Sequence, residues 1–185
     1  HEDGEGELLR RIRALVGPPY WPISIERVPA RLTYSTLVEA PLRLGSLEVR
    51  WCPVEHEGGC VAYRVDEQGS GAIVFATDVE WAAAGEDLRR EFLRFCRAPT
   101  PATLLCFDGT YTPAEYPAHR GWGHSTWPEA VAVARAAGIP MLRILHHAPE
   151  HDDATLDAIE RELRVEFPGG ALAREGEEVL IPPPG

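Results

Sequence analysis

Lysine is missing from this chain of 185 residues, and all 18 basic side chains are arginine. Acidic residues number 29, so the net charge is −11. Such a chain lacks the basic footprint that nonspecific nucleic-acid binding needs. The acidity remains compatible with a metal site, because bound divalent cations would offset part of it. The absence of lysine itself reads as a bias of genome composition rather than of mechanism. No two of the four cysteines (Cys52, Cys60, Cys96 and Cys106) form Cys-x-x-Cys, which argues against a zinc finger. Apolar neighbours, as in Phe95-Cys96 and Leu105-Cys106-Phe107, predict small buried core residues. Nothing resembles a signal peptide or a transmembrane run, so a reduced, cytoplasmic setting with no membrane partner is the expectation. Internal repeats and low-complexity blocks are also missing. The chain opens at His1 rather than Met, in an acidic stretch, which reads as an incomplete or processed chain.

What is present suits one domain, with hydrophobic residues at 44%, enough for a core. Residues 7–16 have apolar positions at helical spacing, ended by Gly17-Pro18-Pro19. Residues 1–40 are therefore expected to be a helix and a Pro-rich connection, and residues 41–185 to hold the sheet and the helices that carry the site. Leu42–Leu44 and Leu47–Trp51 alternate around Gly45-Ser46, and Val61–Val65 and Ala72–Ala76 flank Gly69-Ser70-Gly71. Both read as hairpins. A helix is predicted over Asp87–Arg97, a strand over Thr103–Phe107, a helix over Pro128–Ala137, a strand over Met141–Leu145 and a helix over Asp153–Val165. A tail hairpin is predicted to pair Ala171–Ala173 with Val179–Ile181. Hairpins followed by βαβα predict an α/β fold with a mixed sheet and flanking helices.

Two segments carry the chemistry, Gly121-Trp122-Gly123-His124-Ser125-Thr126 and Leu145-His146-His147. Imidazole is the commonest metal ligand and the usual acid or base near neutral pH. The loop from Asp108 to Ser125 is long for a βα connection, and long ordered loops are usually functional. Sites of βαβ units form beyond the carboxyl ends of the strands, where Asp108 and His146 fall. Thr126-Trp127-Pro128-Glu129 is a capping box with Pro in the first turn. His124 is thus expected at the positive end of a helix dipole, which destabilises imidazolium and suits an anion such as phosphate. Gly123-His124-Ser125 reads equally as a tight turn. Adjacent strand residues point to opposite faces, so at most one of His146 and His147 is a ligand of a given metal. His56 and Asp78 each follow a strand and are individually bland. With another histidine they make a ligand set suited to zinc, manganese or iron. A carboxylate can bridge two metals that clamp a displacement at phosphorus. Trp122 and Tyr111 could stack on a nucleobase or other aromatic substrate, or pack in the core.

The order His56, Asp78, Asp108, Gly123-His124-Ser125-Thr126, His146 resembles the second half of a metallo-β-lactamase-fold hydrolase, on its ribonuclease Z and cyclic-phosphodiesterase side. Glu55-His56-Glu57-Gly58-Gly59 with Tyr63-Arg64 resembles the segment of the third-motif histidine. Phe75-Ala76-Thr77-Asp78 resembles the strand ending in the bridging aspartate, and Leu142–His146 the strand ending in the last metal histidine. Gly123-His124-Ser125-Thr126 resembles the ribonuclease Z motif whose histidine assists phosphodiester cleavage. Cys106-Phe107-Asp108-Gly109-Thr110 resembles the motif whose glutamate pairs with that histidine; Asp108 is one methylene shorter. The hallmark His-x-His-x-Asp-His is not in the sequence, and neither is a long basic insertion of the kind that holds transfer RNA.

The resemblance implies the second half of an αββα sandwich and a hydrolase with two zinc ions, or manganese or iron. His56, Asp78 and His146 would be metal ligands, and His124 oriented by Asp108 the catalytic pair. The implied substrate is a small-molecule or nucleotide phosphodiester, with nucleic acid disfavoured by the charge. Supplying only part of the site, the chain is expected to be inactive alone. Three classes remain: a phosphodiesterase, a noncatalytic or split half-domain, and a ribonuclease Z-type endonuclease. An open sheet edge and an uncovered face would favour a homo-oligomer or a complementary N-terminal half as partner.

Overall fold

The computed structural model describes residues 3–32 and 41–182. The chain divides into two compact units, His1–Ala40 and Pro41–Gly185. The first holds α1 (Asp3–Leu15) and a 3-10 turn at Ile25–Arg27. Within it, Arg13 Nε donates to Glu26 Oε1 at 2.6 Å. Residues 33–40, the end of the predicted connection, lie outside the described residues.

The second unit is built on seven strands lying side by side in chain order. They are β1 (Leu42–Leu44), β2 (Leu47–Val54), β3 (Cys60–Glu67), β4 (Ala72–Ala76), β5 (Leu104–Asp108), β6 (Met141–Leu145) and β7 (Gly170–Leu172). The pairs from β1 to β4 are antiparallel and those from β4 to β7 parallel. Parallel neighbours need crossovers. These are α2 (Glu86–Arg97), α3 (Trp127–Ala137) and α4 (Asp153–Glu166). All three helices pack on one face, α2 against β2 and α3, α3 against β5 and β6, and α4 against α3 and β7.

The register separates the two faces. Arg64, Val74, Leu105 and Leu142 are paired across β3 to β6, and each is fully buried. Their neighbours Tyr63, Phe75, Cys106 and Arg143 form the adjacent row on the opposite face, where Tyr63 and Phe75 are exposed. Phe92 from α2 packs edge-on against Phe107 at 5.9 Å, and burial of each ring stabilises by roughly 1.5–3 kcal/mol. Arg64 is a buried charge in this core, but it is satisfied. Its guanidinium donates to the carbonyls of Phe95, Cys96 and Thr100, at 3.2, 2.7 and 2.8 Å, and to the Asp66 carboxylate. The carbonyls at the end of α2 are thereby occupied rather than orphaned.

Two expectations change. The tail hairpin does not form: β7 pairs in parallel with β6, and Val179–Ile181 belongs to no strand. Reached through α4, β7 buries Gly170, Ala171 and Leu172 against the sheet. A tail hairpin would bury little, since Leu180 is exposed. Of the cysteines, Cys52 and Cys96 are buried, whereas Cys60 and Cys106 are half-buried. Burial pushes the thiols of Cys52 and Cys106 up to about 11 and that of Cys96 up to about 12, so these three are neutral at pH 7.

Candidate functional site

Three parallel strands, β4 to β6, end beside one another, and the chain places Asp78, Asp108 and His146 at those ends. Asp78 has φ 54° and His146 φ 61°, the two non-glycine residues with left-handed backbone among the described residues. Such a conformation costs on the order of 1–2 kcal/mol, and strain of this kind concentrates at functional sites. It directs both side chains to one point. Asp78 Oδ1 lies 3.6 Å from His146 Nε2, and one ligand atom each from Asp78, His124 and His146 fall within 4.8 Å of one another. The His124 and His146 rings stack at 4.3 Å.

Asp108 organises this cluster from beneath. It is fully buried, and every contact it makes is with a donor. Its Oδ2 accepts from His124 Nδ1 at 2.8 Å and from the Asp78 N–H at 3.1 Å. Its Oδ1 accepts from the Thr110 N–H and hydroxyl, at 3.2 and 3.0 Å, and from the Ser125 N–H at 3.1 Å. The shorter side chain therefore does reach His124.

Donor accounting fixes the imidazole tautomers. A carboxylate only accepts, so His124 carries its proton on Nδ1. Thr110 has one hydroxyl proton and gives it to Asp108. Its oxygen, 3.1 Å from His146 Nδ1, must then accept from His146. His56 Nδ1 is 2.9 Å from the Gly123 carbonyl, which also only accepts. All three imidazoles thus hold Nδ1–H against an oxygen, which leaves Nε2 as the ring nitrogen that can meet a ligand. Outer partners orient metal-ligating histidines in this way. Imidazole nitrogens with a carboxylate oxygen fit a divalent metal such as zinc, manganese or iron.

A second carboxylate fixes the loop that carries His124. Glu80, at 3% exposure, accepts from the Tyr116 hydroxyl and the Gly121 N–H through Oε1, both at 2.8 Å, and from the Gly123 N–H through Oε2 at 2.9 Å. Burial alone would raise its pKa, but these donors hold it below the ordinary carboxylate value. Ser125 joins the same two segments, with its hydroxyl donating to the Val79 carbonyl and accepting from the Trp81 N–H at 3.0 Å. Gly123 has φ 85°, and a Cβ there would fall 2.2 Å from the His56 ring. No other residue fits between His56 and this loop.

The sequence-predicted residues all lie in this region, with one difference of grouping. Asp78, His124 and His146 form the closest set, while His56 stands beside His124 with ring centroids 5.5 Å apart. His147 turns away to the Ala173 carbonyl at 3.4 Å, and burial lowers its pKa. His151 pairs with Glu115 of the long loop at 2.9 Å. Sequence reasoning missed Glu80, Thr110 and Ser125 as site supports. A usable signal for Thr110 and Ser125 was their place inside the quoted motifs; Glu80 had only its spacing of two from Asp78. The expected electrostatics of His124 are reversed. Its hydrogen bond to Asp108 raises its pKa, outweighing burial. A full charge at 2.8 Å exceeds the partial charge of α3, whose first turn begins three residues later.

No protein-family model matches the chain. A ribonuclease Z of Gemmatimonas aurantiaca is 34% identical over 84 residues, which are 45% of this chain and 26% of that protein. Among solved structures, the metallo-β-lactamase fold protein YhfI from Bacillus subtilis is similar with TM-score 0.56 and 21% identity, over 74% of this chain and 50% of that one. Human tRNase Z, short form, is similar with TM-score 0.55 and 18% identity, over 76% and 44%. A diphosphatase from the PhnP family is similar with TM-score 0.58 and 16% identity, over 94% and 67%. The chain thus matches about a quarter of the curated relative and about half of the first two structures. No helix among the described residues is long and apolar enough to cross a membrane. The mixed seven-stranded sheet with its flanking helices thus shares the fold of these metallo-β-lactamase-fold structures.

Proposed function

We propose that the chain supplies part of the site of a metal-dependent phosphodiesterase. The observation that carries this reading is the cluster of Asp78, His124 and His146, whose ligand atoms fall within 4.8 Å of one another, with His56 beside His124 and each imidazole held through its Nδ1 by an oxygen. Asp78, His146 and His56 would hold divalent metal, with Asp78 as the carboxylate ligand; zinc is the first choice, manganese or iron the others. Metal there supplies Lewis acidity toward a phosphoryl oxygen and an activated water. His124 faces the same point. Asp108 keeps its Nδ1 protonated and raises its pKa, so Nε2 more readily carries a proton for the leaving oxygen or bonds to the phosphate. The remaining ligands come from residues outside this sequence, which contains no His-x-His-x-Asp-His.

The test is hydrolysis of bis(p-nitrophenyl) phosphate with zinc or manganese, combined with metal stoichiometry. Residues 1–185 alone are expected to bind metal incompletely and to turn over near background. A supplied segment bearing the missing motif restores two metals and turnover, and His124→Ala then lowers kcat by about 10²–10⁴-fold. Full loading and turnover by residues 1–185 alone would overturn the partial-site reading. Association with such a segment without any turnover would favour a noncatalytic half-domain. The ribonuclease Z match favours a second reading, a transfer-RNA-processing endonuclease. The charge of −11 weighs against it, and cleavage of a transfer-RNA precursor discriminates the two.

A further inference from the structure

Trp122 lies outside the packed core. It is 62% exposed, whereas Trp127 is buried and Trp81 packs edge-on against Phe92 and Phe107 in the core. Among the exposed aromatic residues described, it alone lies in the loop that carries His124. The indole is nevertheless firmly mounted. Glu80 accepts from the N–H groups of Gly121 and Gly123, so one buried carboxylate clamps the backbone on both sides of Trp122. The Trp122 N–H itself donates to the His119 carbonyl at 3.1 Å. Its ring meets the His119 ring edge-on at 4.9 Å, and His119 stacks on Tyr111 at 4.2 Å. Tyr111 is 6.3 Å from His124. A continuous run of rings therefore leads from the His124–His146 stack to an exposed indole on a fixed support. Arg120 adds a positive charge one glycine earlier, its guanidinium 5.9 Å from the Tyr116 ring.

A large exposed apolar ring costs hydration, and ordering the loop around it costs entropy. Among the described residues, the edge of the His119 ring offsets only part of these costs. A planar aromatic group of a ligand would offset both, because stacking on a preorganised ring loses little further freedom. We propose that Trp122 is the aromatic platform of a subsite next to His124, and that the ligand is a phosphate ester carrying a nucleobase. The phosphate lies at His124 and the base stacks on the indole. This inference rests on the proposed phosphodiesterase site for the position of the phosphate, but not for the stacking itself.

The test measures dissociation constants of AMP, ribose 5-phosphate and adenosine for the full chain in the presence of zinc, by calorimetry. Wild type is expected to bind AMP about tenfold more tightly than ribose 5-phosphate, a stacking contribution of ~1.4 kcal/mol. Trp122→Ala should remove that preference and leave ribose 5-phosphate binding unchanged, while Trp122→Phe retains most of it. Equal weakening of both phosphates in Trp122→Ala, or no effect on AMP, overturns the proposal. If neither phosphate binds to wild type, the phosphate site has failed and adenosine decides. Adenosine binding that Trp122→Ala abolishes supports the platform, and its absence in wild type overturns it.

Discussion

The site contains two aspartate–histidine pairs that differ in almost every physical respect. Asp108–His124 is closed. Its carboxylate is fully buried, its imidazole is 15% exposed, and its hydrogen bond is 2.8 Å long. Asp78–His146 is open, with side chains 38% and 42% exposed, separated by 3.6 Å, and both on left-handed backbone. The first pair satisfies itself and holds neighbouring segments together. The second leaves its lone pairs facing one another with no proton between them, an arrangement that a cation would stabilise. Holding the segments and holding the metal are thus assigned to different pairs, and variants can separate them.

The largest effect is expected for Asp108→Ala. It would leave the buried N–H groups of Thr110 and Ser125, and that of Asp78, without their acceptor. Losing one partner of a buried, hydrogen-bonded charge costs about 3–5 kcal/mol, measurable by urea denaturation of the metal-free protein. A loss below about 1 kcal/mol would show that Asp108 does not hold the segments together.

Asp78→Gly and His146→Gly should behave in the opposite way. Glycine accepts positive φ without strain, so each variant is expected to match wild type in stability or gain up to about 1 kcal/mol. Zinc affinity should fall by more than the 10–100-fold typical of losing an outer partner. A smaller effect is expected for Thr110→Val, which removes the hydroxyl between Asp108 and His146. Zinc affinity should drop about tenfold, at a stability cost of about 1 kcal/mol. Calorimetric titration with zinc reads all three. Unchanged affinity in Asp78→Gly would break the contrast between the pairs.

Each pair was half legible in the sequence. Asp108 and His146 fall at the ends of apolar strand runs, which period and turn signals locate, whereas Asp78 was bland on its own. The capping box likewise located α3, and Glu129 does accept from both the N–H and the hydroxyl of Thr126. Glu80 was invisible because its partners are main-chain groups of Gly121 and Gly123, some forty positions away. No periodicity encodes a side chain bonded to distant backbone. The β6–β7 pairing was misread for a related reason. A local hairpin and a crossover through α4 use the same short apolar run, and only burial against the sheet decides between them. The direction of the His124 shift was misjudged because helix position was readable and the depth of Asp108 was not.

The smallest effect expected is a reversal in how stability depends on pH in the metal-free protein. Two histidines act in opposite senses. The hydrogen bond from Asp108 raises His124 above the ordinary imidazole value of 6.5. Its stabilisation is complete below 6.5, where the unfolded chain is also protonated, and is lost as pH rises through the folded pKa. Burial lowers His147 below 6.5. Its folded form favours the neutral ring, so its contribution is complete above 6.5 and is lost as pH falls through its folded pKa. The two windows meet at the ordinary value, and stability should pass through a shallow maximum near it. Glu80 and Glu115 do not interfere, because carboxylates held low lose their contribution only at more acid pH. His124→Gln should remove the falling limb above 6.5 and spare the rising limb. Zinc held by Asp78 and His146 should weaken the falling limb, since a nearby cation disfavours the imidazolium of His124. A falling limb unchanged in His124→Gln would mean that the closed pair contributes to structure alone, and that its imidazole carries no extra proton for chemistry.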